Sequence, residues 1–133
     1  MSQETKLGVA PNVAGLLCYV PCGIGGVFSV VAALVETENR FVRFHAFQSL
    51  LLHAVAFALG FGYQVASAIL YAFLPWSLYN LWRLVGLLAF GAVVAFLALL
   101  IVLMVRANSN HEFKLPVIGN LAAKWAGDPA SRT

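Results

Sequence analysis

Three long stretches without an ionisable carboxylate, amine or guanidinium constrain this chain more than any other feature. They cover residues 13–35, 44–74 and 84–105, and all 13 charged side chains, eight basic and five acidic, lie outside them. Since about 20 apolar residues cross a hydrocarbon core about 30 Å thick, each run is long enough for one transmembrane helix. With 62% hydrophobic and 10% charged residues, the chain has too few polar side chains to cover a soluble globule.

These runs predict an all-α integral membrane bundle with three transmembrane helices in a single domain. The spans are expected at about residues 13–35, 44–74 and 81–105, with a turn at Pro75, which lacks a backbone donor. A fourth crossing would need a break between Gly60 and Gly62. No polar turn accompanies these glycines, and the resulting pieces would be short for a bilayer, so three spans are favoured.

The first predicted span has an irregular centre. Pro21 removes one helical hydrogen bond, and Gly23, Gly25 and Gly26 follow it, so either a kink or an unwound turn is expected. Broken helices at mid-bilayer are a feature of transporters. Because the sequence has no inverted repeat and no second broken helix, a simple proline kink is the favoured interpretation.

The basic residues predict the orientation of the chain in the membrane. With three spans, Lys6 and Arg83 lie on one side, and six basic residues lie on the other. The N-terminus is therefore expected outside and the C-terminus in the cytoplasm. The first apolar run is longer than the hydrophobic region of a signal peptide, so it is expected to remain in the protein.

Small residues recur every four positions on the first two predicted spans. In lipid, this spacing allows close helix packing, within a bundle, in a homo-oligomer or against another membrane protein. The alternative is that alanine and glycine are simply common in such helices. The candidate packing residues are Ala14, Cys18, Cys22 and Gly26 on the first span, and Ala54, Ala58, Gly62 and Ala66 on the second.

Metal, cofactor and catalytic sites are not expected. Cys18 and Cys22 are one helical turn apart, which places their Cβ atoms farther apart than a disulfide needs. His45, His53 and His111 show no ligand spacing, and no carboxylate lies within a span. Eight scattered basic residues form no phosphate-binding stripe, so nucleic acid is not an expected partner. The lipid bilayer is the expected partner.

A polar cluster at the start of the second span is the main candidate site. Its members could anchor the helix at the cytoplasmic interface, or they could form a docking surface or vestibule at the mouth of the bundle. The candidate docking or vestibule residues are Asn39, Arg40, Arg43, His45, Gln48 and Ser49.

The C-terminal tail predicts a short amphipathic helix at about residues 116–126. Pro116 suits a first helical turn, and Val117, Ile118, Leu121 and Trp125 form an apolar face. Such a helix is expected to lie on the cytoplasmic leaflet or to close the bundle beside the first loop.

Several of these segments resemble a known family. They are the segment from Glu38 to Ser49, which contains Arg-Phe-His-Ala-Phe-Gln-Ser, the segment from Asn12 to Tyr19, and the segment from Phe113 to Gly119. The chain resembles small prokaryotic membrane proteins that are grouped with the channel-like subunit of the Tic protein translocon of the chloroplast inner envelope. The resemblance implies a location in the prokaryotic cytoplasmic membrane. It also implies an association with protein translocation. The resemblance supports a docking role for the first loop and the start of the second span.

The resemblance has limits that bear on function. The matching tail residues are Lys114, Leu115, Pro116 and Gly119, and Trp125 follows them. This chain has no transit peptide and three predicted spans, whereas the plastid members are described with four. The expected function is a non-enzymatic scaffold or translocation-associated subunit with a membrane-protein partner or a second copy. The alternative is a small transporter or channel for an ion or metabolite.

Overall fold

A computed structural model describes residues 5–73 and 75–127, and the described chain folds almost entirely into helices. This confirms the all-α prediction. The elements in chain order are α1 (Pro11–Leu17), α2 (Ile24–Val35), α3 (Arg40–Phe73), a 3-10 turn (Trp76–Leu78), α4 (Tyr79–Asn108) and α5 (Ile118–Ala126).

The two longest helices, α3 and α4, run antiparallel on either side of Pro75. They contain 34 and 30 residues, which corresponds to about 51 and 45 Å. Among the described residues, these two helices are long and apolar enough to cross a membrane. Pro75 ends the first of them in extended backbone, while Gly60 and Gly62 lie within the unbroken α3. The chain therefore turns at the predicted proline, and α3 has no break for a fourth span.

The first apolar run forms two short helices, so the span predicted at residues 13–35, and with it a bundle of three spans, is not confirmed. After α1, the backbone turns through Cys22 and Gly23, which have φ values of 66° and 80°. Pro21 cannot donate the hydrogen bond that would continue the helix, and glycine tolerates the left-handed conformation. At 12 residues, α2 is about 18 Å long, too short to cross a hydrocarbon core alone. An unwound turn, rather than the favoured kink, separates α1 from α2.

The two ends of this segment meet at the same place, so residues 11–35 form a hairpin, called here the N-terminal hairpin. The backbone N–H of Lys6 donates to Glu36 Oε2 at 2.9 Å, and Lys6 Nζ lies 2.9 Å from Glu38 Oε1. At the other end of α2, Gly26 faces the His53 ring. The predicted topology, which separates the N-terminus from the first loop by a membrane, is not confirmed, because the structure brings these two segments into contact.

The buried core lies at the end of the molecule where α1, α2 and α5 pack on the first half of α3 and the last turns of α4. The main cluster contains Ala14, Cys18, Tyr19, Ala32, Val42, Ala46, Leu52, Leu100, Leu103 and Ala107. Beyond it, α3 and α4 expose large apolar side chains, including Phe57, Phe61 and Leu88. Contiguous apolar surface of this extent marks a membrane or an interface. The outer halves of α3 and α4 are therefore suited to lipid.

The tail helix α5 packs on α3 through its small residues. Gly119, Ala122, Ala123 and Ala126 are buried, whereas Val117 and Trp125 are exposed. The predicted face of large residues is split: Val117 and Leu121 are exposed, whereas the Trp125 ring contacts the Phe47 ring of α3 edge-on at 5.8 Å. Of that face, Ile118 packs against the core.

Candidate functional site

The loop before α3 is held by a buried carboxylate. Glu36 is 1% exposed and accepts hydrogen bonds from the backbone N–H groups of Lys6, Glu38 and Asn39 at 2.9–3.1 Å. Desolvation acts to raise the pKa of Glu36, but these donors, together with the Lys6 charge, hold that pKa below its usual range. Asn39 Oδ1 then accepts the N–H of Val42 at 3.2 Å, which caps the start of α3.

The two arginines of the candidate cluster join the first turn of α3 to the tail. Arg40 forms a 3.1 Å ion pair with Glu112. Arg43 donates to the carbonyls of Thr37 at 3.4 Å and Trp125 at 3.3 Å. These contacts are internal to the chain, and the exposed ones contribute little to stability individually. Their effect is to fix the position of the tail.

A polar network that is buried at Tyr19, His45 and Gln48 and partly buried at the tail connects the N-terminal hairpin, α3 and the tail. Tyr19 Oη lies 3.1 Å from His45 Nδ1, and Gln48 Nε2 donates to Tyr19 Oη at 3.0 Å. Gln48 also donates to the Phe113 carbonyl at 3.0 Å and accepts the N–H of Leu115 at 3.2 Å. Gln48 is therefore the hub of this network.

The network also indicates which nitrogen of His45 carries the proton. Because Gln48 donates to the Tyr19 oxygen, the Tyr19 hydroxyl can donate to Nδ1, which assigns the histidine proton to Nε2. His45 Nε2 has no hydrogen-bond partner. The ring packs edge-on against Phe41 and Phe44, with centroids 4.4 and 5.1 Å away. His45 thus acts as a packed aromatic residue with one polar contact.

Serine side chains satisfy the carbonyl group that the end of α1 leaves unpaired. Ser49 Oγ donates to the Cys18 carbonyl, and Ser29 Oγ lies between the carbonyl oxygens of Gly25 at 2.7 Å and Cys18 at 3.2 Å, to either of which its proton can be donated. The last carbonyls of a helix need such partners when they are buried. Ser49 therefore holds the break between α1 and α2 against α3.

Two glycines allow the close approaches on which the site depends. A Cβ on Gly15 would lie 3.1 Å from the Phe41 ring and 3.2 Å from the His45 ring. A Cβ on Gly119 would lie 2.8 Å from the Lys114 backbone and 2.9 Å from Gln48 Oε1. The tail residues carried by the resemblance, Lys114, Leu115, Pro116 and Gly119, thus fold against the hub.

The candidate docking residues differ in burial. His45, Gln48 and Ser49 are fully buried, so they are not accessible from outside the chain, whereas Arg40 and Arg43 reach the surface and contact the tail. Tyr19 and Ser29 complete the site but were not predicted as members, and Glu36, in the polar segment before α3, joins it through the backbone of the loop. The signal that could have revealed Tyr19 and Ser29 is a polar side chain inside an apolar run.

The two stripes of small residues differ in burial. Ala14 and Cys18 are buried in the core, Gly26 contacts His53, and Cys22 is exposed at the turn. On α3, by contrast, Ala54, Ala58 and Gly62 are exposed and Ala66 is half-buried. The first stripe packs within the chain, and the described chain leaves most of the second uncovered.

An apolar slot of about 350 Å³ separates α3 from α4 beyond the core. Its α3 wall runs from Leu52 to Tyr63, and its α4 wall from Ala89 to Phe96. The two helices meet at either end of the slot, through the His53 and Phe96 rings and through the stacked Tyr63 and Trp82 rings. No group of three or more His, Cys, Asp or Glu side chains in the described part of the chain could hold a metal ion.

The fold and the site define an all-helical membrane protein whose motif-bearing segment holds its own hairpin and tail together. The chain belongs to the magnetosome magnetite crystal formation protein family (MamF/MmsF), whose profile matches residues 3–122.

Its relatives are named as membrane proteins of archaea. The UPF0132 membrane protein MJ1443 of Methanocaldococcus jannaschii is 35% identical over 92% of this chain and 94% of its own length. A UPF0132 membrane protein of Archaeoglobus fulgidus is 36% identical over 87% of this chain and 95% of its own length. No solved structure matches. These matches confirm a prokaryotic membrane protein family, and they show no link to the Tic translocon.

Proposed function

We propose that this protein is a non-enzymatic membrane scaffold subunit that assembles in the bilayer with helices of a second copy or of a membrane-protein partner. The supporting observation is the exposed stripe of Ala54, Ala58 and Gly62 on α3, where a Cβ placed on Gly62 would meet open space beyond its own stretch of helix. Lipid tails provide no hydrophobic drive for helix association, so small residues that allow close backbone approach are typical of helix interfaces.

In this proposal, the N-terminal hairpin is re-entrant and both chain ends lie in the cytoplasm of a prokaryotic cell. The contact between Lys6 and Glu36 supports the re-entrant path. Six of the seven described basic residues belong to the end of the molecule that holds the core, and Arg83 lies near the opposite end. Basic residues concentrate on the cytoplasmic side of membrane proteins. This distribution supports a cytoplasmic location for the core.

The dimensions of the helices fit this placement. Tyr71, Trp76 and Tyr79 cluster at the Pro75 turn, as aromatic residues do at a membrane interface. The 34 residues of α3, about 51 Å, cross a bilayer of about 40–45 Å including headgroups if the helix is tilted. With a length of about 18 Å, α2 brings the Pro21 turn close to the bilayer centre.

More specific roles for the protein are supported by its sequence relationships and not by the geometry of the site. The sequence resemblance supports a translocation-associated subunit, and the family description supports a part in magnetite crystal formation in magnetosomes. Assembly with membrane partners is compatible with either role. The proposal is therefore a scaffold that assembles with membrane partners, without a choice between these two roles.

A small transporter or channel is the second candidate, and the re-entrant hairpin is the observation that favours it. Non-helical backbone at membrane depth is tolerated where it is buried in protein or lines a water-filled cavity. Here Gly25 N–H donates to the Val20 carbonyl at 2.9 Å, and the Ser49 hydroxyl donates to the Cys18 carbonyl. The slot between α3 and α4 is apolar. These internal contacts support the scaffold over a conduction path.

Disulfide crosslinking in native membranes tests the proposal. In a background with Cys18→Ala and Cys22→Ser, Ala58→Cys is expected to form crosslinked species that contain this chain. Phe57→Cys is the matched control, because it is exposed at the same depth on another face of α3. Equal crosslinking of both variants, or ion flux through the purified protein in liposomes without any complex, would contradict the scaffold.

A further inference from the structure

We propose that the tail, residues 109–127, is a re-entrant segment that inserts into the leaflet on the side of the core. Its deepest residue, Val117, lies among the acyl chains, and Lys124 lies at the lipid phosphates. The inserted surface, called here the tail ridge, consists of Phe113, Val117, Leu121 and Trp125. This inference concerns contact with lipid and does not depend on the scaffold function.

The tail ridge is a set of large apolar side chains that the folded chain leaves uncovered. Its four members follow each other at intervals of four residues, and each is at least 38% exposed. On a helix, side chains four residues apart lie on the same side. The opposite side of α5 consists of small residues and is buried. The tail therefore packs on α3 through its small side chains and presents its large ones to the surroundings.

The contacts between the tail and α3 give the direction of α5. Gln48 Oε1 accepts the N–H of Leu115 at 3.2 Å and would lie 2.9 Å from a Cβ on Gly119, so α5 begins level with Gln48. Near the other end of α5, the Trp125 carbonyl accepts a hydrogen bond from Arg43 at 3.3 Å. Helix α5 therefore runs antiparallel to the start of α3, and its N-terminal end lies farther from the charged loop than its C-terminal end.

This register places Val117 at acyl-chain depth. The uncharged part of α3 begins directly after Arg43, at the level of Trp125. Val117 precedes Trp125 by eight residues, which corresponds to about 12 Å along the helix. A bilayer of about 40–45 Å with a hydrocarbon core of about 30 Å has a headgroup layer of about 5–8 Å on each side. With Trp125 among the headgroups, Val117 therefore reaches the acyl chains.

The backbone at Val117 also fits a lipid environment. Val117 has φ 66° and ψ −63°, and the Ile118 N–H donates to the Pro116 carbonyl at 2.8 Å, which defines a γ-turn of the rare, strained type. A β-branched residue is an outlier in this conformation. The turn directs the Val117 side chain outward, where it is 80% exposed. In water, both the conformation and the apolar exposure would be unfavourable, whereas acyl chains solvate the exposed valine.

The polarity of the exposed side of α5 changes in the same direction as the polarity of a leaflet. Val117 and Leu121 lie toward the deep end, and Trp125 lies at the shallow end. Lys124 is exposed and follows Leu121 by one helical turn on the same side. Tryptophan and lysine are typical of the membrane interface, and an ammonium group binds phosphate. A soluble partner would reach the shallow end only, whereas a phospholipid offers phosphate at one end and acyl chains at the other.

Depth-dependent fluorescence quenching tests the insertion. The full-length protein with Cys18→Ala and Cys22→Ser carries Val117→Cys, which is labelled with the fluorophore NBD. It is reconstituted in phosphatidylcholine–phosphatidylglycerol vesicles that contain a nitroxide lipid, with the nitroxide either on the headgroup or in the middle of an acyl chain. We expect stronger quenching by the acyl-chain nitroxide than by the headgroup nitroxide, and an emission maximum shifted to the blue.

Labels at three other positions serve as controls. Leu121→Cys leaves the γ-turn unchanged, and its label should also respond more strongly to the acyl-chain nitroxide, but less so than the label at Val117. A label on Lys124→Cys should respond more strongly to the headgroup nitroxide. Thr37→Cys is the aqueous control, because Thr37 is exposed in the charged loop before α3, and its label should be quenched by iodide in the same vesicles.

Three results would overturn the inference. Iodide quenching of the Val117 label as strong as that of the Thr37 label would show that the ridge faces water. Stronger quenching of the Val117 label by the headgroup nitroxide would show that the tail lies on the surface of the leaflet. Shielding from all three quenchers would show that protein covers the ridge, and disulfide-linked dimers of unlabelled Val117→Cys would identify that protein as a second copy.

Discussion

Replacing Gln48 with leucine should release the tail and the N-terminal hairpin together. Gln48 is fully buried and makes three hydrogen bonds, to the Tyr19 hydroxyl, the Phe113 carbonyl and the Leu115 N–H. Leucine has a similar volume but no polar group. The substitution therefore preserves packing and removes three hydrogen bonds. The Phe113 carbonyl and the Leu115 N–H lose their partner, while the Tyr19 hydroxyl keeps its contact with His45.

The expected loss of stability follows from these three contacts. A buried group that loses its partner costs about 1–3 kcal/mol, whereas side-chain hydrogen bonds measured within membrane proteins average about 0.6 kcal/mol and reach about 1.7. Three such contacts give a loss of about 2–5 kcal/mol in the free energy of unfolding. Reversible unfolding in detergent or bicelles, followed by circular dichroism or steric trapping, measures this value.

A second measurement reports the tail directly. Because Gln48 bonds the backbone of Phe113 and Leu115, the variant should expose Lys114 to trypsin under native conditions, with faster cleavage than in the unmodified protein. The matched control is Gln64→Leu, an exposed glutamine on the same helix, which should change neither the stability by more than about 0.5 kcal/mol nor the cleavage rate. If Gln48→Leu and Gln64→Leu behave alike, the network does not hold the tail and the reasoning is wrong.

Three further outcomes are expected. Gly119→Ala places a Cβ 2.8 Å from the Lys114 backbone, so it should destabilise the protein by about 1–3 kcal/mol, whereas Gly91→Ala, with open space around it, should be neutral in the same unfolding assay. Because the pKa of Glu36 is lowered in the folded protein, its stabilising effect is complete above the usual value of 4.5 and is lost as the pH falls through the lower folded value. Glu36→Gln should remove this part of the pH dependence of unfolding. An unchanged profile would show that the Glu36 carboxylate does not hold the loop before α3. Reporter fusions at the two chain ends should give matching signals, with a cysteine at Asn80 labelled from the opposite face. Opposite signals at the two ends would restore the three-span topology.

The sequence predicts the long helices because composition and continuity agree there. Residues 44–74 and 84–105 are uncharged, have no internal proline, and are bounded by Arg43, Pro75, Arg83 and Arg106. In lipid, a backbone with all its polar groups bonded internally is the stable solution for such runs. Pro75 marks the turn because its missing N–H and its effect on the preceding residue both oppose a helix.

Hydropathy alone could not distinguish a single span at residues 13–35 from the two short helices that the structure shows there. The apolar content is the same for both, and what differs is whether the backbone continues through Pro21, Cys22 and Gly23. That choice depends on tertiary partners: Ser49 bonds the Cys18 carbonyl, and Lys6 meets Glu36 only when the chain returns. A pattern with period 3.6 contains no information about these contacts, which join residues up to 31 positions apart.

The segment that carries the resemblance shows the same limit of sequence-based prediction for the candidate site. Arg40, Arg43, His45 and Gln48 are chemically suited to bind a partner, and the sequence does not reveal whether that partner is another molecule or the chain itself. Burial decides between the two, because a polar side chain removed from water must find its partners within the protein. Tyr19 lies in the first apolar run and the Phe113 carbonyl lies 65 residues beyond Gln48, so only the folded chain brings them together. The proposed interface therefore lies on the outer halves of α3 and α4, where small residues and large apolar side chains are exposed.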